Sequence, residues 1–144
     1  MIHKPGCLVL TGGSLRLAVT AEQVVAVFPL DTITPLPGMP GWVLGLARHA
    51  GRMLVVVDPG LLAGRPAGGG GLAVHLAADV ELALTVAGVE AASSPADQPG
   101  PSPASWLVPG VDDQQRVVYR LDVPGLVAAV RTPLKRSTAP AAAR

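Results

Sequence analysis

Disulfide bridges, clustered metal ligands and stacking aromatics are all missing from this chain of 144 residues. Cys7 is its one cysteine, which excludes an intrachain disulfide framework and makes a reducing compartment the simpler expectation. It lies in the apolar run Cys7-Leu8-Val9-Leu10, where a buried, inert thiol is expected rather than a nucleophile. Aromatic residues make up only 3%, so no base-stacking nucleic-acid surface is expected and the core must be packed with Val, Leu and Ala. The histidines His3, His49 and His75 are scattered, with no i, i+4 pair, which argues against a metal site. No apolar run reaches the roughly 18 residues of a membrane span. None of signal-peptide length follows Met1 before Thr11-Gly12-Gly13. The expectation is a soluble, cytoplasmic protein with no membrane insertion.

What is present is apolar and compact. A hydrophobic fraction of 49% with 15% charged residues describes one folded domain, long enough to bury a core unaided. The net charge of +1 hides an asymmetry: from position 131 onward the only charged side chains are Arg131, Lys135, Arg136 and Arg144, and every acidic residue precedes them. We therefore expect a domain over 1–135 and a disordered basic tail over 136–144.

The densest local order runs from Ile33 to Gly60. A Pro- and Gly-rich loop, Pro35 to Gly41, feeds the apolar run Trp42 to Leu46; a polar reversal follows at Arg48-His49-Ala50-Gly51-Arg52, then Met53 to Val57, ended by Asp58-Pro59-Gly60. This predicts a β-hairpin with a rigid entry loop. Asp58 is expected to cap a helical turn with Pro59 inside it and Gly64 ending it. Before this hairpin, Cys7 to Leu10 and Leu15 to Val19 predict another, turning at Thr11 to Ser14. Thr20 is a hydroxyl N-cap candidate for a helical turn over Ala21 to Ala26.

Further on, Leu72 to Leu76 and Glu81 to Val89 read as strands, Ala91 to Ser105 as a linker, and Trp106 to Leu121 as a hairpin turning at Asp112 to Gln115. Asp122 caps a closing segment, Val123 to Val130, whose Leu126, Val127 and Val130 form one apolar helical stripe. About eight short strands with small helical turns point to a barrel or sandwich. Trp42 to Leu62 is echoed at Trp106 to Val127: strand, turn, strand, then an Asp, a Pro, a Gly and a helical turn. Two similar half-domains are expected.

Catalytic chemistry has little support. The run Gly68 to Gly71 precedes a strand and has no lysine nearby, unlike a phosphate-cradling loop. Asp112 and Asp113 sit in a turn, where Asp bonds the local backbone. Ser93 and Ser94 lie in the linker without a neighbouring His or Lys. His49 is expected to be a solvated tip residue, and His75 to face outward or be satisfied half-buried. An interaction module is left.

Pro37-x-x-Pro40-x-Trp42-Val43-x-Gly45, a hairpin ending in Val55-Val56-Val57-Asp58, and then Leu61-Leu62 together resemble the central signature of the CheW-like domain. Val24 to Val27, Glu81 to Val89 and Trp106 to Val127 extend the similarity over nearly the whole chain. The resemblance implies an all-β fold of two interleaved, SH3-like five-stranded β-barrel subdomains with short helical turns, no catalysis and no cofactor. It implies as partners a methyl-accepting chemoreceptor signalling domain, and a CheA-type histidine kinase regulatory domain or another CheW-like protein. The family's hairpin tip, Gly-x-x-Asn-x-Arg-Gly, is rewritten here as Gly45-Leu46-Ala47-Arg48-His49-Ala50-Gly51, and the acidic residue that can face its arginine aligns with Ala26. Both members of that ion pair are absent together, which leaves no unpaired charge.

The expected receptor contacts are Val43, Leu44, Arg48, His49 and Ala50 on the hairpin, Val25 and Val27 opposite, and Leu84 and Val86 nearby. The departures suit a divergent adaptor that keeps one partner. The alternatives are a conventional bridge between receptor and kinase and, from a different class, a small β-barrel enzyme or ligand-binding domain, which a deep polar-lined pocket would favour.

Overall fold

The computed structural model describes residues 6–138. His3, the expected absence of a leader around Met1 to Pro5, and residues 139–144 of the expected tail lie outside the described residues. Eleven strands and two helices follow in the order β1 (Cys7–Gly12), β2 (Leu15–Val19), β3 (Val24–Pro29), β4 (Val43–His49), β5 (Arg52–Val57), α1 (Pro59–Leu62), β6 (Leu72–Leu76), β7 (Leu82–Val86), β8 (Gly88–Ala92), β9 (Ala96–Asp97), β10 (Leu107–Val111), β11 (Val117–Leu121) and α2 (Val123–Thr138). They build two sheets, one of six strands ordered β8-β1-β2-β11-β10-β9 and one of five ordered β3-β6-β7-β5-β4. The mostly-β expectation holds, with one strand more in the first sheet than the five expected.

The two sheets share one plan. In each, a hairpin lies beside a parallel neighbour: β2 runs parallel to β11, and β7 parallel to β5. The echo seen in the sequence is a repeated hydrogen bond. The Asp58 N–H donates to the Trp42 carbonyl at 2.9 Å and the Asp122 N–H donates to the Trp106 carbonyl at 2.9 Å. A helix then starts from each aspartate. The halves are interleaved because β3 to β7 are inserted between β2 and β8, so the first sheet is assembled from strands on both sides of the second.

Three local expectations change. The helical turn stops at Gln23, since the β-branched residues Val24, Val25 and Val27 continue into β3 and pair with β6. At its entry the Gln23 side chain reaches back, its Oε1 accepting from the Thr20 N–H at 2.9 Å. Glu81 to Val89 is two strands in different sheets; the chain switches at Ala87, whose N–H donates to the Thr11 carbonyl at 2.7 Å. The linker contributes Ala91 and Ala92 to β8 and all of β9.

The largest apolar cluster lies between the sheets and under α2, with Leu10, Leu17, Leu76, Leu82, Leu84, Trp106 and Leu126 among its buried members. Each sheet has a smaller cluster of its own: Cys7, Val9, Ala18 and Val118 in the first, Phe28, Leu54, Ala73 and Ala83 in the second. Strand β7 is buried along its whole length because it serves both clusters of the second sheet.

Candidate functional site

The hairpin β4–β5 turns through two residues, Ala50 and Gly51, with φ of 52° and 80°. Two successive positive φ values make this a type I′ turn, whose twist matches the paired strands. Glycine suits such a turn, but Ala50 is held in the left-handed region at some cost.

Strands β3 and β4 are the two edges of the second sheet, yet they approach one another. Phe28 of β3 stacks on His49 of β4, with ring centroids 3.9 Å apart and planes 6° from parallel. Beyond β3 the chain meets β4 again, where Thr34 and Leu46 exchange both backbone hydrogen bonds at 2.8 Å. Gly45 makes that crossing feasible. Its φ is +141°, and a Cβ there would collide with the Thr34 carbonyl. The curled edges leave a groove of about 530 Å³ lined by Phe28, Asp31, Thr34, Arg48, His49 and Met53, among others.

The expected contact residues separate by burial. Val25 and Val27 are 56% and 41% exposed on β3, and Arg48 and Ala50 are exposed at the hairpin tip. Leu44 and His49 are half-buried. The Phe28–His49 stack brings the β3 group beside the tip, and it makes His49 a packed ring rather than a solvated one. Val43, Leu84 and Val86 do not belong to this surface: they are 9%, 0% and 1% exposed and fill the core. For Leu84 and Val86 the signal was in the sequence, because an apolar run broken only by Thr85 marks a strand covered on both faces. Met53, 46% exposed, was missed for the opposite reason, since it opens an apolar run that is otherwise core.

The bulge in the β3–β6 ladder falls at Val25, between the pairs Val24–Leu76 and Ala26–His75. It turns Val25 outward. Opposite it, His75 is buried and its Nε2 lies 3.3 Å from Glu81 Oε1, so it is the satisfied residue of the two readings. Glu81 also accepts two bonds from Arg52, at 3.1 and 3.3 Å. Asp58 is buried too. Its carboxylate accepts from the N–H groups of Leu61 and Gly68, capping α1 and pinning the glycine-rich loop. That loop therefore serves packing. Among the described residues no cluster of three or more His, Cys, Asp or Glu is placed to hold a metal ion, and no helix is long and apolar enough to cross a membrane.

Two sheets thus share one core, and the exposed edge strand of the second lies beside its hairpin tip. The CheW-like domain model matches residues 6–131, and the chain belongs to that family of chemotaxis adaptors. Among known structures it is similar to the scaffolding protein TtCheW from Thermoanaerobacter tengcongensis, with a TM-score of 0.66 at 14% identity, over 82% of this chain and 89% of that one. Among characterised proteins it is similar to Protein FrzA of Myxococcus xanthus, 41% identical over 46 residues. That match spans 32% of this chain and 29% of FrzA.

Proposed function

We propose that this protein is a cytoplasmic chemosensory adaptor whose β3 edge and β4–β5 tip receive the helical hairpin tip of a chemoreceptor. The observation that carries this reading is the stack of Phe28 on His49, which sets the exposed Val25 and Val27 beside Arg48 and Ala50 as one continuous face. A mixed face of two exposed apolar side chains and one cation suits an amphipathic helix, which offers apolar residues at helical spacing with polar ones alongside. The fold in this reading is a pair of SH3-like barrels, each curled around its own small cluster. Residues 1–135 form the binding domain in this reading, although α2 itself continues to Thr138, into the stretch expected to be tail.

The same adaptor would couple the receptor to a CheA-type histidine kinase, pairing with its regulatory domain or with another CheW-like protein. The test is a binding titration of the whole protein against the signalling domain of a receptor from the same organism and, separately, against the kinase regulatory domain. Val25→Glu and Val27→Glu should each weaken receptor binding about tenfold or more, by placing a charge in an apolar contact. They should leave kinase binding and thermal stability near the parent values, because both residues are exposed. Loss of kinase binding with receptor binding intact would move the receptor site elsewhere, and no binding of either partner at micromolar concentration would defeat the adaptor reading.

A further inference from the structure

We propose that the groove between the loop after β3 and the outer edge of β4 is a second peptide site, which takes an extended, carboxylate-bearing segment of a partner protein as an added strand. This goes beyond receptor recognition: the ligand is extended rather than helical, and it is held by β4 rather than by β3.

The backbone is the first ground. Leu46 exchanges both of its hydrogen bonds with Thr34, so the Leu46 N–H and carbonyl point away from β5. In an antiparallel ladder that orientation recurs every second residue, so the Arg48 N–H and carbonyl point outward as well. The crossing strand does not reach that far. Thr34–Leu46 is an isolated bridge, and no described residue pairs with Arg48 on its outer side. One residue pair of a ladder is thus open beside a groove of about 530 Å³, enough for a short stretch of extended chain.

The side chains specify what fits. Of the seven arginines between residues 6 and 132, Arg16, Arg52, Arg116, Arg120 and Arg131 each pair with a carboxylate, and Arg65 donates to the Ser14 hydroxyl. Arg48 has no such partner among the described residues, although all ten acidic residues of the chain lie within them. An exposed guanidinium beside an open strand edge matches a carboxylate on the incoming strand, placed on the β4 side of the groove because Asp31 lines the loop side. The half-exposed Met53 and the partly exposed His49, backed by the buried Phe28 ring, supply apolar surface for the side chains of that strand. Backbone pairing gives affinity and alternate side chains give choice of ligand, as in strand addition generally.

The test is an anisotropy titration of the full chain with a labelled, end-blocked synthetic peptide of alternating Val and Glu. Its Val and Lys counterpart, and a version N-methylated on alternate residues, are measured beside it. The acidic peptide should bind at least about tenfold more tightly than either control. Arg48→Glu should reverse the charge preference and Arg48→Lys should keep it. The amide resonance of Arg48 should move on binding. Equal binding of the acidic and basic peptides, insensitivity to N-methylation, or no binding at millimolar concentration would each overturn the proposal. Because no receptor is present, its failure leaves the receptor reading standing, and failure of the Val25 and Val27 variants leaves this one standing.

Discussion

The two sheets solve one problem twice with different materials. Each joins a Trp carbonyl to an Asp N–H at 2.9 Å, starts a helix at that Asp, and uses a glycine in the preceding strand where another segment crosses: Gly45 under Thr34, Gly110 under Ala96. Their hairpin tips differ. At β10–β11 the Asp112 carboxylate accepts from the N–H groups of Gln114 and Arg116 at 2.9 and 2.8 Å and from the guanidinium groups of Arg16 and Arg116 at 3.1 and 3.0 Å. At β4–β5 no carboxylate among the described residues accepts from the backbone of the turn, Glu81 reaching only the Arg52 side chain, and Ala50 carries a left-handed backbone. The braced tip is organised by Asp112 and the arginines around it; at the bare tip Arg48 has no carboxylate partner among the described residues.

The glycine crossings give the largest expected difference. Gly45→Ala adds a Cβ against the Thr34 carbonyl and the Ile33 side chain at a φ of +141°, and should destabilise the protein by about 3 kcal/mol. Gly110→Ala places its Cβ 2.7 Å from the Ala96 carbonyl, without a positive φ, and β9 is only two residues long. It can shift, so about 1 kcal/mol is expected. Urea midpoints for the two variants make the comparison. Equal losses would mean that β9 is held as firmly as the Thr34 crossing.

The aspartates that precede the two helices come next, of which Asp58 caps its helix through the side chain and Asp122 does not. Asp58→Ala removes a buried carboxylate and leaves the N–H groups of Leu61 and Gly68 unsatisfied, at a cost of about 2 kcal/mol. Among the described residues the Asp122 side chain makes no hydrogen bond, so Asp122→Ala should cost under about 1 kcal/mol. Trp42 and Trp106 sit one in each half beside these caps, so fluorescence of Trp42→Phe and Trp106→Phe backgrounds would show which half each variant loosens.

Acid should also separate the tips. Asp112 is held at about 2, below the ordinary 3.8, first by the Arg116 backbone N–H, against an opposing contribution from desolvation and with help from Gln114 and the guanidinium groups of Arg16 and Arg116. A carboxylate depressed in the folded state contributes its stability above the unfolded value and loses it as pH falls through the folded one. The braced tip should therefore weaken between pH 3.8 and about 2. Asp112→Asn should flatten that part of a thermal-unfolding profile against pH, and a profile unchanged by the substitution would show that the brace carries no stability.

Much of this comparison was legible in the residues. The paired Trp, Asp, Pro and Gly positions announced the duplicated half-domains, since each is a local signal: a helix cap, a first-turn proline, a strand-breaking glycine. What depends on distant partners was not. Nothing near Val24 says that its neighbours pair with β6 rather than extend a helix, and Ala96 and Asp97 form a strand only because β10 is there to receive them. The candidate site divides in the same way. Val25, Val27 and Arg48 were readable as surface, and Leu84 and Val86 as a covered apolar strand, but the burial of Val43 was not. The groove depends on Phe28 meeting His49 across 21 residues of chain, which no local pattern encodes.

The smallest predicted effect tests the bare tip most directly. Ala50→Asn should stabilise the protein by about 0.5 to 1 kcal/mol, because Asn tolerates the left-handed region that a type I′ turn requires at this position. Gln115, at the braced tip, also has a positive φ, of 64°, but Asp112 fixes the backbone on both sides of it. Gln115→Asn should therefore gain less than Ala50→Asn in paired thermal melts. If both gain equally, the Asp112 brace does not set the turn. If Ala50→Asn gains nothing, the Phe28–His49 stack already holds the hairpin in register, and the tip would be fixed from its side rather than by its turn.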